Sequence, residues 1–444
     1  MADTIEVRPS TGLAGTLAPP GAKSGTVRAL LAGTLATGTT VIRNAGSGDN
    51  VRAMTVGCRA LGARITGGSD RAWTVEGTGG KLPDTVRLDA GNSGIVLRLL
   101  AAVGAAATST CVVGTRNRDS LGRRGNLELI DALRQLGADC HGTGDDACPP
   151  LSVSGGARLH GGTVAISGRR SSQPVSGLLF LAPLIGEDVE VVVREGLSAP
   201  AMVQATIETL ARSGITVQAG PDGMQYRVTA GQTYRPAVHQ VPTDASSVAG
   251  ILAVAAAAPE SQVSVTGVAA DDHAAGLTVQ ALARMGVRIE RTADTLTVYG
   301  AEPDQLRPVE LDGSGFMDSV LPLAALACYA PGTTVFSNVE PLRFKECDRI
   351  SDFRQEMCAA GADIEERTDA LIVHGKPRIT GGTQVRGRHD HSVVMALATL
   401  AVRSDEGLAI EGWRSVGQTY RNFFEDLESI GARVGSNENE GARR

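Results

Sequence analysis

A chain of 444 residues is too long for one ordinary core, so two domains of roughly 200 residues each are expected. Hydrophobic residues at 42% and charged residues at 20% describe an ordinary globular protein, and a net charge of -6 without a basic run speaks against nucleic acid as a partner. Seven cysteines with no C-x-x-C pair argue against a disulfide frame and a zinc site, and fit reduced thiols.

The first ten residues, MADTIEVRPS, contain acids and no apolar stretch, which excludes a secretory signal and makes the cytoplasm the expected location. Residues 4–8 alternate as a strand and have no helix of their own. PGAKSGTVRALL, residues 20–31, places Lys23, Ser24 and Arg28 where a helix begins. A helix N-terminus with two cations is an anion site or a capped surface helix, and the local pattern leaves both open. DAGNSGIVLRLLAA, residues 89–102, is a Gly-rich turn entering an apolar helix, with Gly94 in the turn and Arg98 one turn inside. Its backbone N–H groups suit a phosphate or carboxylate, and Asn92 or Ser93 suit simple capping. TRNRDSLGRRG then gathers Arg116, Arg118, Arg123 and Arg124 in a loop that is either solvated or anion-closing. SGRRSSQ puts Ser171, Ser172 and Gln173 ahead of a buried helix, where they suit phosphate oxygens or N-capping. The stretch 231–235 reads as a domain boundary. Apolar residues 248–258 are too few to span a bilayer, and no membrane association is expected. LDGSGFMDS sets Asp318 at the head of an apolar helix, and LRFKECDRI crowds Arg343, Lys345, Glu346, Asp348 and Arg349 together. GRHDHS places Asp390 and His391 before another apolar helix, and no spacing suits a metal, so none is assigned.

Across these segments one pattern repeats: an Ala/Leu-rich helix, a glycine, then an alternating hairpin. The glycines are Gly62, Gly137, Gly214, Gly286, Gly361 and Gly431, at intervals of about 70–77 residues. Each closes a helix as a C-cap, and RITGG followed by AWTVEG reads as the first hairpin. With aromatics at 3%, the core must be built from Ala, Val, Leu and Ile. One unit cannot bury its helix face alone, so six units divide into two sets of three. The expected lobes are residues 21–235 and residues 1–20 with 236–436. Residues 4–8 pairing with the second lobe would give two chain crossings, a hinge suited to closure. Three helix N-termini per lobe, if they converge, would attract a polyanionic pair of substrates.

Taken together these segments resemble the EPSP synthase family, the 3-phosphoshikimate 1-carboxyvinyltransferases, from about Ile5 to Arg433. LRFKECDRI is the most specific piece. The Lys-Ser-x-x-x-Arg element at 23–28, SSQ at 171–173 and GTTVIRN add to it. The resemblance implies an α/β fold of two inverse α/β domains, each of three repeated helix-plus-hairpin units. It implies transfer of the enolpyruvyl group of phosphoenolpyruvate to a hydroxyl of shikimate 3-phosphate, with release of phosphate and without a cofactor. Lys23, Ser24, Arg28, Ser171, Ser172, Ser198, Asp318 and Lys345 would hold the acceptor. Lys23, Gly94, Arg124, Gln173 and Arg349 would hold phosphoenolpyruvate. Asp318 would be the base on the acceptor hydroxyl, Glu346 would move the proton at the vinyl carbon, and Lys23 completes the catalytic set. The partners expected are these small molecules alone, and the chain is expected to be a monomer.

Four positions depart from the family pattern. Asp390-His391-Ser392 stands where the family has Asp-His-Arg, and Gln418 where many members have Lys. Ile95 adds bulk beside the phosphoenolpyruvate pocket, and Ala201 replaces an aromatic. Loss of the arginine at 392 should weaken phosphoenolpyruvate unless Arg388, Arg118 or Arg123 compensates. These departures raise a second function, enolpyruvyl transfer to another phosphorylated alcohol such as a nucleotide, or elimination on a shikimate-type ring. A third is a binding scaffold with a degraded site.

Overall fold

A computed structural model describes residues 3–67, 72–270, 272–302 and 304–436; residues 68–71, the expected turn of the first hairpin, lie outside them. The chain divides into two compact units. One runs from Gly21 to Val241, and the other joins the residues up to Pro20 with those from Pro242 onward.

Each unit holds three four-stranded sheets. In every sheet one edge pair runs parallel and the remaining pairs run antiparallel. A parallel pair needs a crossover, and a buried helix supplies it. Thr85–Asp89 and Thr110–Gly114 are linked through the helix Gly94–Gly104, and Gly162–Gly168 and Val189–Leu197 through Gln173–Ile185. In the other unit, Val320–Ala327 links Glu310–Asp312 to Gly332–Ser337. There, too, His391–Arg403 links Thr383–Arg386 to Leu408–Glu411.

The remaining two sheets take their edge strands from distant sequence. Val238–Gln240 pairs parallel with Thr37–Arg43, and Ala14–Leu17 with Gln262–Thr266. The expected strand at residues 4–8 forms as Thr4–Val7, between Leu408–Glu411 and Val434–Ser436. The first of these pairings moves the sequence-based boundary. Residues 236–241, expected in the second lobe, lie with Gly21–Val241. Val41 N donates to Ala237 O at 2.9 Å, and Asn44 Nδ2 donates to Val241 O at 3.0 Å. A three-residue edge strand with one buried residue carries too little alternation to be read locally.

The repeated glycines act as C-caps. Gly62, Gly137, Gly214, Gly286, Gly361 and Gly431 all have φ between 82° and 105°. The following N–H reaches back to a carbonyl in the last turn, as Ala63 N to Cys58 O and Ala432 N to Leu427 O. A Cβ would strain this left-handed conformation, so glycine recurs there.

The crossover helices are apolar on all sides because each lies at the centre of its unit. Every residue of Gly94–Gly104 is buried, and so is every residue of His391–Arg403 except the last. Small residues let these helices approach closely. A Cβ on Gly177 would stand 2.9 Å from the Ala102 Cβ. One hydrophobic core fills each unit. Among the described residues no helix is long and apolar enough to cross a membrane, and all seven cysteines are free.

Candidate active site

In the unit Gly21–Val241 the parallel strands end where the crossover helices begin, the usual place for ligands in α/β sheets. The helix Lys23–Leu35 starts without a side-chain cap, and Lys23 and Ser24 are half-buried in its first turn. Arg28 is 1% exposed. Its Nε donates to Thr206 Oγ1 at 2.7 Å, Nη1 to Ser24 O at 3.0 Å and Nη2 to Met202 O at 2.9 Å. Burial lowers its pKa to about 10, still well above neutrality. Arg28 therefore braces the helix start and fixes Ser24 through its backbone.

Three of the residues implied for phosphoenolpyruvate come together around one glycine. A Cβ on Gly94 would lie 3.1 Å from Arg124 Nη1, 3.2 Å from Gln173 Oε1 and 3.0 Å from Arg98 Nη1. The absent side chain is what leaves room for this convergence. Arg98 itself is 8% exposed and donates to Gln173 Oε1 at 2.6 Å, Asn126 Oδ1 at 2.9 Å and Gly125 O at 3.3 Å. Ser93 caps the helix Gly94–Gly104, its Oγ accepting from Val96 N at 3.4 Å, and Asn92 Oδ1 accepts from Leu121 N at 3.2 Å. The capping roles of this turn are thus filled by side chains, which leaves Gly94 to the cluster.

Ser171 Oγ accepts from Gln173 N at 3.2 Å, and Ser172 is the buried N-cap residue of Gln173–Ile185 without a side-chain cap bond. Ser198 follows the neighbouring parallel strand, and its N–H donates to Gly168 O at 2.8 Å. That bond sets the three serines at the ends of adjacent strands. In the cationic loop, Arg116, Arg118 and Arg123 are exposed, while Arg124 turns inward to half-burial. Arg116 pairs with Asp89 and Arg123 with Asp119, so most of this loop is solvated surface.

In the other unit Arg349 is the hub. It is 1% exposed, and three carboxylates surround it. Nε meets Asp390 Oδ2 at 2.7 Å, Nη2 meets Glu346 Oε2 at 3.0 Å and Nη1 meets Asp318 Oδ1 at 3.3 Å. Burial by itself would lower the Arg349 pKa, but the carboxylates outweigh it and raise it above the ordinary value. The three acids differ in access. The Asp390 side chain is 0% exposed, that of Glu346 12% and that of Asp318 48%. Only Asp318 combines the pairing with broad access to solvent.

The other charges of LRFKECDRI build the loop. Arg343 Nη1 holds Asp348 Oδ2 at 2.9 Å, and its Nε and Nη2 donate to the carbonyls of Thr368 and Arg367. Asp348 Oδ1 accepts from Ile350 N and Ser351 N at 3.1 Å, capping Ser351–Ala359. Lys345 is half-buried and lies between Arg343 and Glu346 in sequence. Asp390 does two tasks, because its Oδ1 also accepts from Ser392 N at 2.8 Å and caps His391–Arg403. The Asp-His pattern ahead of an apolar helix signals the cap and carries no sign of the pairing with Arg349.

Arg388 does not replace the arginine absent at position 392. Its Nε, Nη1 and Nη2 are held by Glu356 at 2.6 Å, Asp352 at 2.9 Å and Gln355 at 3.0 Å. Ser392 and Gln418 are both buried, at 1% and 6% exposed. Gln418 Nε2 donates to His389 O at 2.7 Å, while Ser392 Oγ and Gln418 Oε1 meet no hydrogen-bond partner among the described residues.

Comparison with known proteins points one way. Residues 7–427 match the family model described as EPSP synthase (3-phosphoshikimate 1-carboxyvinyltransferase). A 3-phosphoshikimate 1-carboxyvinyltransferase of Burkholderia pseudomallei is 37% identical, covering 97% of this chain and 95% of its own. The protein of that name from Deinococcus radiodurans is 38% identical, covering 97% and 96%. Among solved structures, EPSP synthase from Acinetobacter baumannii superposes with a TM-score of 0.80 at 24% identity, covering 98% of this chain and 100% of its own. The enolpyruvyl transferase NikO from Streptomyces tendae gives 0.78 at 20% identity, covering 98% and 99%.

Proposed function

The chain belongs to the EPSP synthase family, and we propose that it transfers the enolpyruvyl group of phosphoenolpyruvate to a hydroxyl of shikimate 3-phosphate, releasing phosphate. Relatives that carry this activity in their names align over nearly the whole chain, which favours shikimate 3-phosphate over a nucleotide-like alcohol or an elimination. The observation that carries the chemistry is the Arg349 hub: one guanidinium holds both Asp318 and Glu346.

Phosphoenolpyruvate must gain a proton at C3, which makes C2 electrophilic. The acceptor hydroxyl loses its proton and attacks C2, giving a tetrahedral ketal. Loss of a C3 proton and of phosphate then restores the vinyl group. Two proton carriers of different character are therefore needed. Asp318, the accessible acid, takes the hydroxyl proton. Glu346, the more buried acid, serves the vinyl carbon. Lys23 and Lys345 neutralise charge as it moves between them. Arg124, Gln173 and the Gly94 turn receive phosphoenolpyruvate, together with Arg349, whose charge does not titrate. Ser171, Ser172, Ser198 and Ser24 receive the acceptor, and Arg28 holds Ser24 in place. We place the enzyme in the cytoplasm as a monomer that takes neither nucleic acid nor cofactor, and treat the two compact units as its working lobes.

The test is phosphate release from the purified chain. Release should require phosphoenolpyruvate and shikimate 3-phosphate together. Release with a different phosphorylated alcohol, and none with shikimate 3-phosphate, would overturn the reading.

A further inference from the structure

We propose that Arg98 is a positioning residue that sets the sense of the Gln173 amide and thereby its affinity for an anion; this rests on the assignment of Gln173 to phosphoenolpyruvate. A glutamine amide has one end that accepts and one that donates, and in isolation it presents either. Arg98 has only donors, so the end facing its Nη1 at 2.6 Å is the oxygen. Oε1 is thus the amide atom beside Gly94 and is claimed by Arg98, and Nε2, which donates to no described residue, is the end left to serve a ligand oxygen. A flipped amide would offer its oxygen to the anion instead, exchanging attraction for repulsion.

Arg98 is itself over-determined. Asn126 Oδ1 receives its Nε at 2.9 Å, and Gly125 O receives Nη2 at 3.3 Å. Asn126 is 1% exposed and is fixed by donating to Arg124 O at 2.8 Å. The chain of bonds runs from the backbone that carries Arg124, through Asn126 and Arg98, to the Gln173 amide. One network therefore orients both a cation and an amide around Gly94. Lysine cannot substitute for arginine here, because a single ammonium lacks the planar fork that reaches three separate acceptors.

Arg98→Lys should raise KM for phosphoenolpyruvate roughly 10- to 100-fold and change KM for shikimate 3-phosphate by less than about 2-fold. A general loss of packing would not separate the two substrates. In a Gln173→Ala background the same substitution should raise KM by less than about 2-fold further, because the group it orients is gone. Gln173→Glu keeps Arg98 intact and needs no change in the buried network. Its carboxylate bonds Arg98 and turns a second oxygen toward the anion, so KM for phosphoenolpyruvate should exceed that of Gln173→Ala. Additive effects in the double variant, or Gln173→Glu no worse than Gln173→Ala, would overturn the role of Arg98 and leave the proposed reaction standing. A wild-type chain that releases no phosphate would instead remove the reaction on which the proposal rests.

Discussion

Replacing Asp318 by Asn and Asp390 by Asn removes one charge from each of two carboxylates on the same guanidinium, yet the two variants should fail in opposite ways. The Asp390 side chain is 0% exposed and both its oxygens are engaged, by Arg349 Nε and by Ser392 N. Withdrawing one partner of a buried ion pair costs about 3–5 kcal/mol. Arg349 retains Glu346 and Asp318, so the lower end, about 3 kcal/mol, applies. For a unit of roughly 200 residues that lowers the melting midpoint by roughly 6–12 °C. Asp318 has a side chain 48% exposed and a longer 3.3 Å contact. A pair so open to water contributes at most about 1 kcal/mol, or roughly 2–4 °C. Its turnover, however, should fall roughly 10²- to 10⁴-fold, since a base in the transition state is lost. The Asp390 variant should lose less turnover than this at 25 °C, where it is still folded. Thermal melting and phosphate release on both variants make the comparison. Wild-type turnover in Asp318→Asn would remove it from the base role. Equal destabilisation of the two would refute the argument from exposure.

Gly94→Ala places a Cβ about 3 Å from Arg98, Arg124 and Gln173, so KM for phosphoenolpyruvate should rise roughly 10-fold or more while KM for the acceptor stays put; steady-state kinetics with each substrate varied decides it. His239 is 2% exposed, and burial first, then Arg212, lowers its pKa to about 4. A depressed folded pKa means that its contribution is complete above pH ~6.5 and lost as pH falls toward 4, a swing of roughly 3 kcal/mol. Melting midpoints should therefore drop over that window, less steeply in His239→Gln; identical slopes would exclude His239 as a source. Cys58 and Cys111 are buried, and burial raises both thiols to about 12. A disulfide reagent at neutral pH should leave both unlabelled until the chain is unfolded, and rapid native labelling of either would contradict their placement.

The repeat was legible because a left-handed C-cap leaves a glycine at each unit, and that mark survives whatever else changes along the chain. Gly94, Arg124, Gln173 and Arg349 are candidate site residues through the resemblance of their motifs. Their physical surroundings are not legible in those motifs. Arg98 reads in sequence as one more polar residue inside an apolar helix, and its partners Asn126 and Gln173 lie 28 and 75 residues away. Asp390 reads as an N-cap, which it is, and its second oxygen finds Arg349 across 41 residues. A capping pattern reports only the local half of such a residue. Arg28 is a similar case. Its place in a Lys-Ser-x-x-x-Arg element implies an acceptor contact, and nothing in that element announces its bonds to Met202 and Thr206, 174 and 178 residues away.

The buried helices of the two units differ in the charge at their starts. In Gly21–Val241 the helices Lys23–Leu35, Gly94–Gly104 and Gln173–Ile185 have no acid in their first turn. Their positive ends are attended by hydroxyls, glycines and the cations Lys23 and Arg124. In the other unit Asp244 caps Ala245–Ala257 and Asp390 caps His391–Arg403, while Asp318 stands two residues ahead of Val320–Ala327. There the helix ends already have carboxylates, and an incoming anion gains little from them. Such an arrangement suits a reaction that must both hold phosphates and move protons. Helix starts without an acid suit anions, and Asp318 is the one acid at the other starts to which the proposed reaction gives a proton. Ser392 fits this division. At a helix start whose dipole Asp390 has answered, anion attraction rests on Arg349, and the charge that Arg349 offers is shared among three acids.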